Sequence, residues 1–137
     1  MRILFDQGTP VAIGDALQNH SVRTANAQGW STLTNGELLR VAEQAGFEVL
    51  LTTDTSLPHQ QNMRGRKLAV VILTKNRWAL IQPRMGEIVA AINSAKPGTY
   101  SVAIALPGTL TNVWLTVLAS ARSILTLMPG RLCHWWR

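Results

Sequence analysis

Arg2-Ile3-Leu4-Phe5-Asp6 and Val49-Leu50-Leu51-Thr52-Thr53-Asp54 share one form, a short apolar run that closes on an aspartate. Runs of this length and composition read as strands buried in a sheet. A third run, Leu68-Ala69-Val70-Val71-Ile72-Leu73, is wholly apolar and partly β-branched, as a strand covered on both faces should be. In an open parallel α/β sheet the carboxyl ends of the strands open onto the crevice where ligands bind. Asp6 and Asp54 would then lie together at that edge, where two carboxylates can share a divalent cation.

The sequence between these runs reads as helices and turns. Thr9-Pro10 predicts an N-cap followed by proline at the first helical position, with the helix reaching about Asn19. Residues 21–25 read as a second strand. Thr34-Asn35-Gly36-Glu37 has the capping-box form and opens a helix through Leu38, Leu39, Val41 and Ala42 that Gly46 stops. A short helix over 55–62 would follow Asp54. Residues 77–94 carry Ile81, Met85, Ile88 and Ile92 at helical spacing, with Pro83 placed to kink or break that helix. Lys96-Pro97-Gly98 is a turn, and residues 100–106 read as the last strand. Strands alternating with helical segments predict an α/β fold in three α/β/α layers around a mainly parallel sheet. That domain should cover residues 1–106.

Pro107-Gly108 marks a boundary, after which residues 107–137 read as a C-terminal extension. Twelve of the 19 residues from Leu110 to Met128 are apolar, interrupted by Asn112, Arg122 and several Ser and Thr. A membrane span needs about 20 predominantly apolar residues. An arginine near mid-span costs roughly 2.5–3.5 kcal/mol on insertion scales. The expectation is therefore a helix over 110–127 that packs on the domain or on a second copy as a homodimer, not one that enters a membrane.

The whole chain has 137 residues, one domain's worth, and a formal net charge of +6. All seven acids lie in residues 1–87, so much of the basic excess belongs to the tail. Arg64-Gly65-Arg66-Lys67 is the one local basic cluster. It suits a nucleic-acid backbone, or a solvated turn before the next strand. Cys133 is the single cysteine, which rules out an internal disulfide. Met1–Phe5 lacks the pattern of a secretory leader, and a cytoplasmic location is expected. Trp30 and Trp78 have faces on which bases can stack, although packing is the simpler role.

Three segments carry a resemblance. Ile3-Leu4-Phe5-Asp6-Gln7-Gly8-Thr9-Pro10, Leu33-Thr34-Asn35-Gly36-Glu37-Leu38-Leu39 and Val49-Leu50-Leu51-Thr52-Thr53-Asp54 resemble, in order and spacing, the small bacterial PIN-like proteins related to VapC-type toxins. The likeness covers roughly residues 1–105. It implies a PIN-like fold and a metal-dependent ribonuclease, with Asp6, Glu37 and Asp54 as the catalytic and metal-binding acids. It further implies an RNA substrate and, for a toxin, a small antitoxin partner. The chain departs from that pattern at Asn35, where many relatives carry an acid, and at Thr55-Ser56, where another acid often stands. Hard carboxylate oxygens suit Mg²⁺ or Mn²⁺. Arg64, Arg66 and Lys67 would hold the RNA backbone.

Each acid also has a structural role open to it. Asp6 can brace a turn, Asp54 can cap the helix that follows, and Glu37 can complete the capping box. A non-catalytic PIN-like module that binds a protein or RNA is the competing reading. Asp54-Thr55-Ser56-Leu57-Pro58 superficially resembles a phospho-accepting receiver segment, but a receiver needs a pair of acids after its first strand and Asp6 stands alone.

Overall fold

The apolar runs pair as strands because each is apolar on both faces and can be buried only between two layers of helix. The computed structural model describes residues 1–104. Within them the elements run β1 (Arg2–Phe5), a 3-10 segment (Val11–Ala16), β2 (Ser21–Thr24), α1 (Asn35–Gln44), β3 (Val49–Thr52) and α2 (Leu57–Gln60). They continue with β4 (Ala69–Leu73), α3 (Trp78–Ile81), a 3-10 turn (Gln82–Arg84), α4 (Met85–Asn93) and β5 (Tyr100–Ile104). Every strand pairing is parallel, and the order across the sheet is β2-β1-β3-β4-β5. Phe5 stands in register with Leu51, and Thr52 with Ile72.

Alternation along the strands divides the core in two. Ile3, Phe5, Val49, Leu51, Val71 and Leu73 point to one face, covered by Ile13 and Leu17 and by Ile81, Ile88 and Ile92. Leu4, Leu50, Val70 and Ile72 point to the other, covered by Leu38, Leu39 and Ala42 of α1, Leu57 of α2, and Phe47. The expected three-layer α/β arrangement is present, and the sheet is parallel throughout the described residues.

Some local expectations change. The helix expected from Pro10 to Asn19 is only the six-residue 3-10 segment Val11–Ala16. Pro10 takes the N-cap position and offers no side-chain acceptor, and Gly14 weakens the interior. Thr9 does not cap it: its hydroxyl donates instead to the Leu51 carbonyl at 2.9 Å. The segment from 77 to 94 breaks at Pro83 as expected, into α3, a 3-10 turn and α4. No helix among the described residues is long and apolar enough to cross a membrane. The helix expected over 110–127, and any dimer made through it, lie outside the described residues.

Candidate functional site at the carboxyl edge of the sheet

The chain lays β2 on one side of β1 and β3 on the other, so the winding reverses between β1 and β3. That switch point leaves a crevice at the carboxyl ends of the two strands. Asp6 follows β1 and Asp54 lies two residues beyond β3. Phe5 and Leu51 point into the first core face, so alternation sends Asp6, Thr52 and Asp54 to the α1 side.

The loop after β1 is strapped to the end of β3. Asp6 donates its backbone N–H to the Leu51 carbonyl at 2.9 Å, and its own carbonyl accepts from the Thr9 N–H at 3.0 Å. The Thr9 hydroxyl meets the same Leu51 carbonyl. Gly8 lies so close to the Thr53 side chain that any Cβ there would force Thr53 to move.

A continuous polar chain then crosses the switch point. The fully buried Thr52 donates its hydroxyl to Asp6 Oδ2 at 2.8 Å, and Thr52 Oγ1 in turn accepts the Asp54 N–H at 3.1 Å. Asp6 Oδ1 accepts the Gln7 N–H at 2.7 Å. Asp54 Oδ1 accepts the Ser56 N–H at 2.9 Å and the Ser56 hydroxyl, and Asp54 Oδ2 accepts Asn35 Nδ2 at 2.8 Å. These donors, the Ser56 hydroxyl first, hold the Asp54 carboxyl below its ordinary value against the opposing effect of burial. Asp54 is therefore an anion at neutral pH. Its bond to Ser56 is an Asx turn rather than the direct helix cap expected, and α2 starts only at Leu57.

Glu37 does not join this chain. It closes the capping box: its Oε2 accepts the Thr34 N–H at 2.9 Å, and its own N–H donates to Thr34 Oγ1 at 3.4 Å. The Thr34 bonds, the backbone one first, lower its carboxyl below the ordinary value. The third helical position turns a glutamate back toward its own N-cap, away from the crevice. Accordingly, no three His, Cys, Asp or Glu side chains among the described residues form a group that could hold a metal, and the expected three-acid cluster is not assembled.

The basic cluster also sits elsewhere. Arg64, Arg66 and Lys67 precede β4, which places them at the amino edge. Strands of four or five residues separate the two edges by roughly 13–17 Å. Arg66 pairs with Glu43 at 3.5 Å and donates Nε to the Asn62 carbonyl at 3.2 Å. The Lys67 backbone N–H also bonds Glu43. This cluster is not placed to hold a backbone against Asp6 and Asp54.

Two small hollows flank the polar chain. One of about 280 Å³ is lined by Asp6, Gln7, Thr9, Thr24 and Asn26 together with Phe5 and Val11. The other, about 270 Å³, is lined by Thr53, Thr55, Thr74, Lys75 and Asn76 with Leu73. Each suits a hydrated ion or a phosphate group better than a large ligand. Thr52 and Lys75 carry no expectation from the sequence, and Asn35 and Ser56 stand there only as places where an acid is missing, not as partners of Asp54. Thr52 carried a signal, since a polar residue at the end of a wholly buried strand needs a partner. Trp30 packs edge-on against Phe47, with ring centroids 6.0 Å apart, in the packing role expected of it. Comparison with known protein families, characterised proteins and solved structures finds no match to the chain.

Proposed function

We propose that the chain is a PIN-like, divalent-metal-dependent ribonuclease of low activity whose centre is the Asp6–Thr52–Asp54 line. One observation carries the reading: Asp6 and Asp54, which follow β1 and β3, lie on the same side of the sheet at its switch point, and the buried Thr52 hydroxyl bonds both the Asp6 carboxylate and the Asp54 backbone N–H. The donor set fits Mg²⁺ or Mn²⁺, because such ions are commonly held by one or two carboxylates, with water and phosphate completing the shell. Asp6 and Asp54 would hold the ion. Glu37 is committed to its capping box and is not needed as a ligand. When bound, the ion supplies a Lewis acid for the phosphoryl group and an activated water. The chain's own part is to fix the carboxylates. Thr52 orients Asp6, Ser56 and Asn35 orient Asp54 and keep it ionised, and Lys75 borders the adjoining hollow with a cation suited to phosphate.

A non-catalytic module is the second reading. It is favoured by the absence of Glu37 from the crevice and by the donors already on all four oxygens of Asp6 and Asp54. Incubation of single-stranded RNA with the protein in Mg²⁺, Mn²⁺ or EDTA separates the two. The ribonuclease reading expects cleavage in metal, none in EDTA, and none by Asp6→Asn. Cleavage by Asp6→Asn equal to that of the parent refutes the site, and no cleavage in any metal leaves the non-catalytic module.

A further inference from the structure

A hollow of about 660 Å³ lies toward the opposite, amino edge of the sheet. That is within the range of small-molecule sites, about 300–1,000 Å³. Its walls are Pro58 of α2, the connector from α2 to β4, and the turn that leads into β5 at Tyr100. Asn62 and the backbone fix the connector: Asn62 Oδ1 accepts the Arg64 N–H at 3.0 Å, and the Met63 carbonyl accepts the Arg66 N–H at 3.1 Å. Gly98 joins the two walls. It has φ +75, donates its N–H to the Leu68 carbonyl at 3.1 Å, and would place a Cβ only 3.2 Å from the Met63 carbonyl oxygen. The cleft is thus preformed by backbone contacts.

Its chemistry has three parts. Arg64 and Arg66 line it, Lys67 and Lys96 adjoin it in sequence, and Glu43 is the one acid shown paired there, with Arg66. Tyr100 lines it from an edge strand and is 54% exposed, which offers an aromatic face to a ligand. Gln61 and Asn62 add amides that can both donate and accept. Cations for a phosphate, a flat ring for a base and amides for base edges together match a nucleotide better than an acidic peptide, which has no use for the ring.

We propose that the cleft between residues 61–66 and 97–100 binds a nucleoside phosphate unit, with the phosphate on Arg64 and Arg66 and the base stacked on Tyr100. The unit can be a free nucleotide or one residue of a single RNA strand. Asp6, Thr52 and Asp54 are not among the residues that line this cleft, and the proposal does not rest on their being catalytic.

The test uses the full chain, a labelled oligoadenylate RNA and AMP as competitor, with binding read by fluorescence anisotropy at two salt concentrations. Tyr100→Ala should weaken binding roughly tenfold or more, since stacking on an aromatic ring is sequence-tolerant and strong. Tyr100→Phe should bind like the parent. Arg64→Gln should weaken binding and reduce the salt slope by about 0.7, the value for one phosphate contact on a single strand. Both altered side chains are exposed, so circular dichroism should match the parent. Competition by AMP assigns the site to free nucleotides, and binding of the oligomer without such competition assigns it to a strand. The proposal is overturned if neither ligand binds, or if Tyr100→Ala and Arg64→Gln bind as the parent does. It is equally overturned if Asp6→Asn abolishes binding, because the ligand would then lie at the other edge.

Discussion

Thr52→Val is the substitution that weighs the polar chain most cleanly. Valine keeps the shape and suits a buried strand, so packing alone predicts no loss. The hydroxyl, however, serves both the Asp6 carboxylate at 2.8 Å and the Asp54 N–H at 3.1 Å from a fully buried position. A hydrogen bond to a charged group is worth about 1.5–3 kcal/mol, and leaving a buried donor unmet costs about 1–3 kcal/mol. Asp6 is half-buried and recovers part of its loss from water, which brings the sum to about 2–3 kcal/mol. For a domain of this size that is a fall in Tm of roughly 10 °C. Thr52→Ser keeps the hydroxyl and loses one methyl group, worth about 0.8 kcal/mol. Urea unfolding at neutral pH should therefore rank the parent above Thr52→Ser and Thr52→Val lowest, with the denaturant slope unchanged. A Thr52→Val protein as stable as the parent, or more stable than Thr52→Ser, would refute the reasoning.

Thr34→Ala should cost about 1 kcal/mol by removing the cap of α1, whereas Glu37→Gln, whose amide oxygen can still accept the Thr34 N–H but carries no charge, should melt only slightly below the parent and retain any response to divalent ions. A Glu37→Gln protein that loses that response would return Glu37 to the metal site. The carboxyls of Asp54 and Glu37 both lie below their ordinary values of 3.8 and 4.5 in the folded chain. A depressed folded value means the unfolded chain takes up the proton first, so this stabilisation is whole above about pH 5 and fades as pH falls through the folded values. Urea midpoints from pH 7 to pH 3 should decline, and less steeply in Asp54→Asn; a flat profile contradicts the assignment. Gly98→Ala should cost more than Gly65→Ala in thermal unfolding. Both residues have positive φ, a strain of about 1–2 kcal/mol for alanine, but only Gly98 would press its Cβ on neighbouring backbone. Equal losses would show that the cleft walls do not meet as described.

What could be read from the sequence was whatever rests on neighbours in the chain. β1, β3 and β4 fall within a residue of the apolar runs because burial on both faces leaves no choice of residue type. The Thr34–Glu37 capping box and the break at Pro83 are also local, and both stand as expected. The first helix misled because Thr9 had a better partner 42 residues away in the Leu51 carbonyl. The site residues Thr52 and Asn35 are defined by bonds spanning 46 and 19 residues, which no local pattern records. The displacement of Arg64, Arg66 and Lys67 was legible after all. In a parallel sheet, residues that precede a strand lie at the edge opposite to residues that follow one.

The proposed function stands on Asp6 and Asp54 being able to hold a divalent ion at the β1/β3 switch point. Crystals soaked in Mn²⁺ and measured for anomalous scattering test it directly. The account predicts a peak within ligand distance of oxygens from both carboxylates, with Glu37 still turned back on Thr34, and no peak in Asp6→Asn crystals. A peak that gathers Glu37 instead, or none near Asp6 at saturating Mn²⁺, would contradict it.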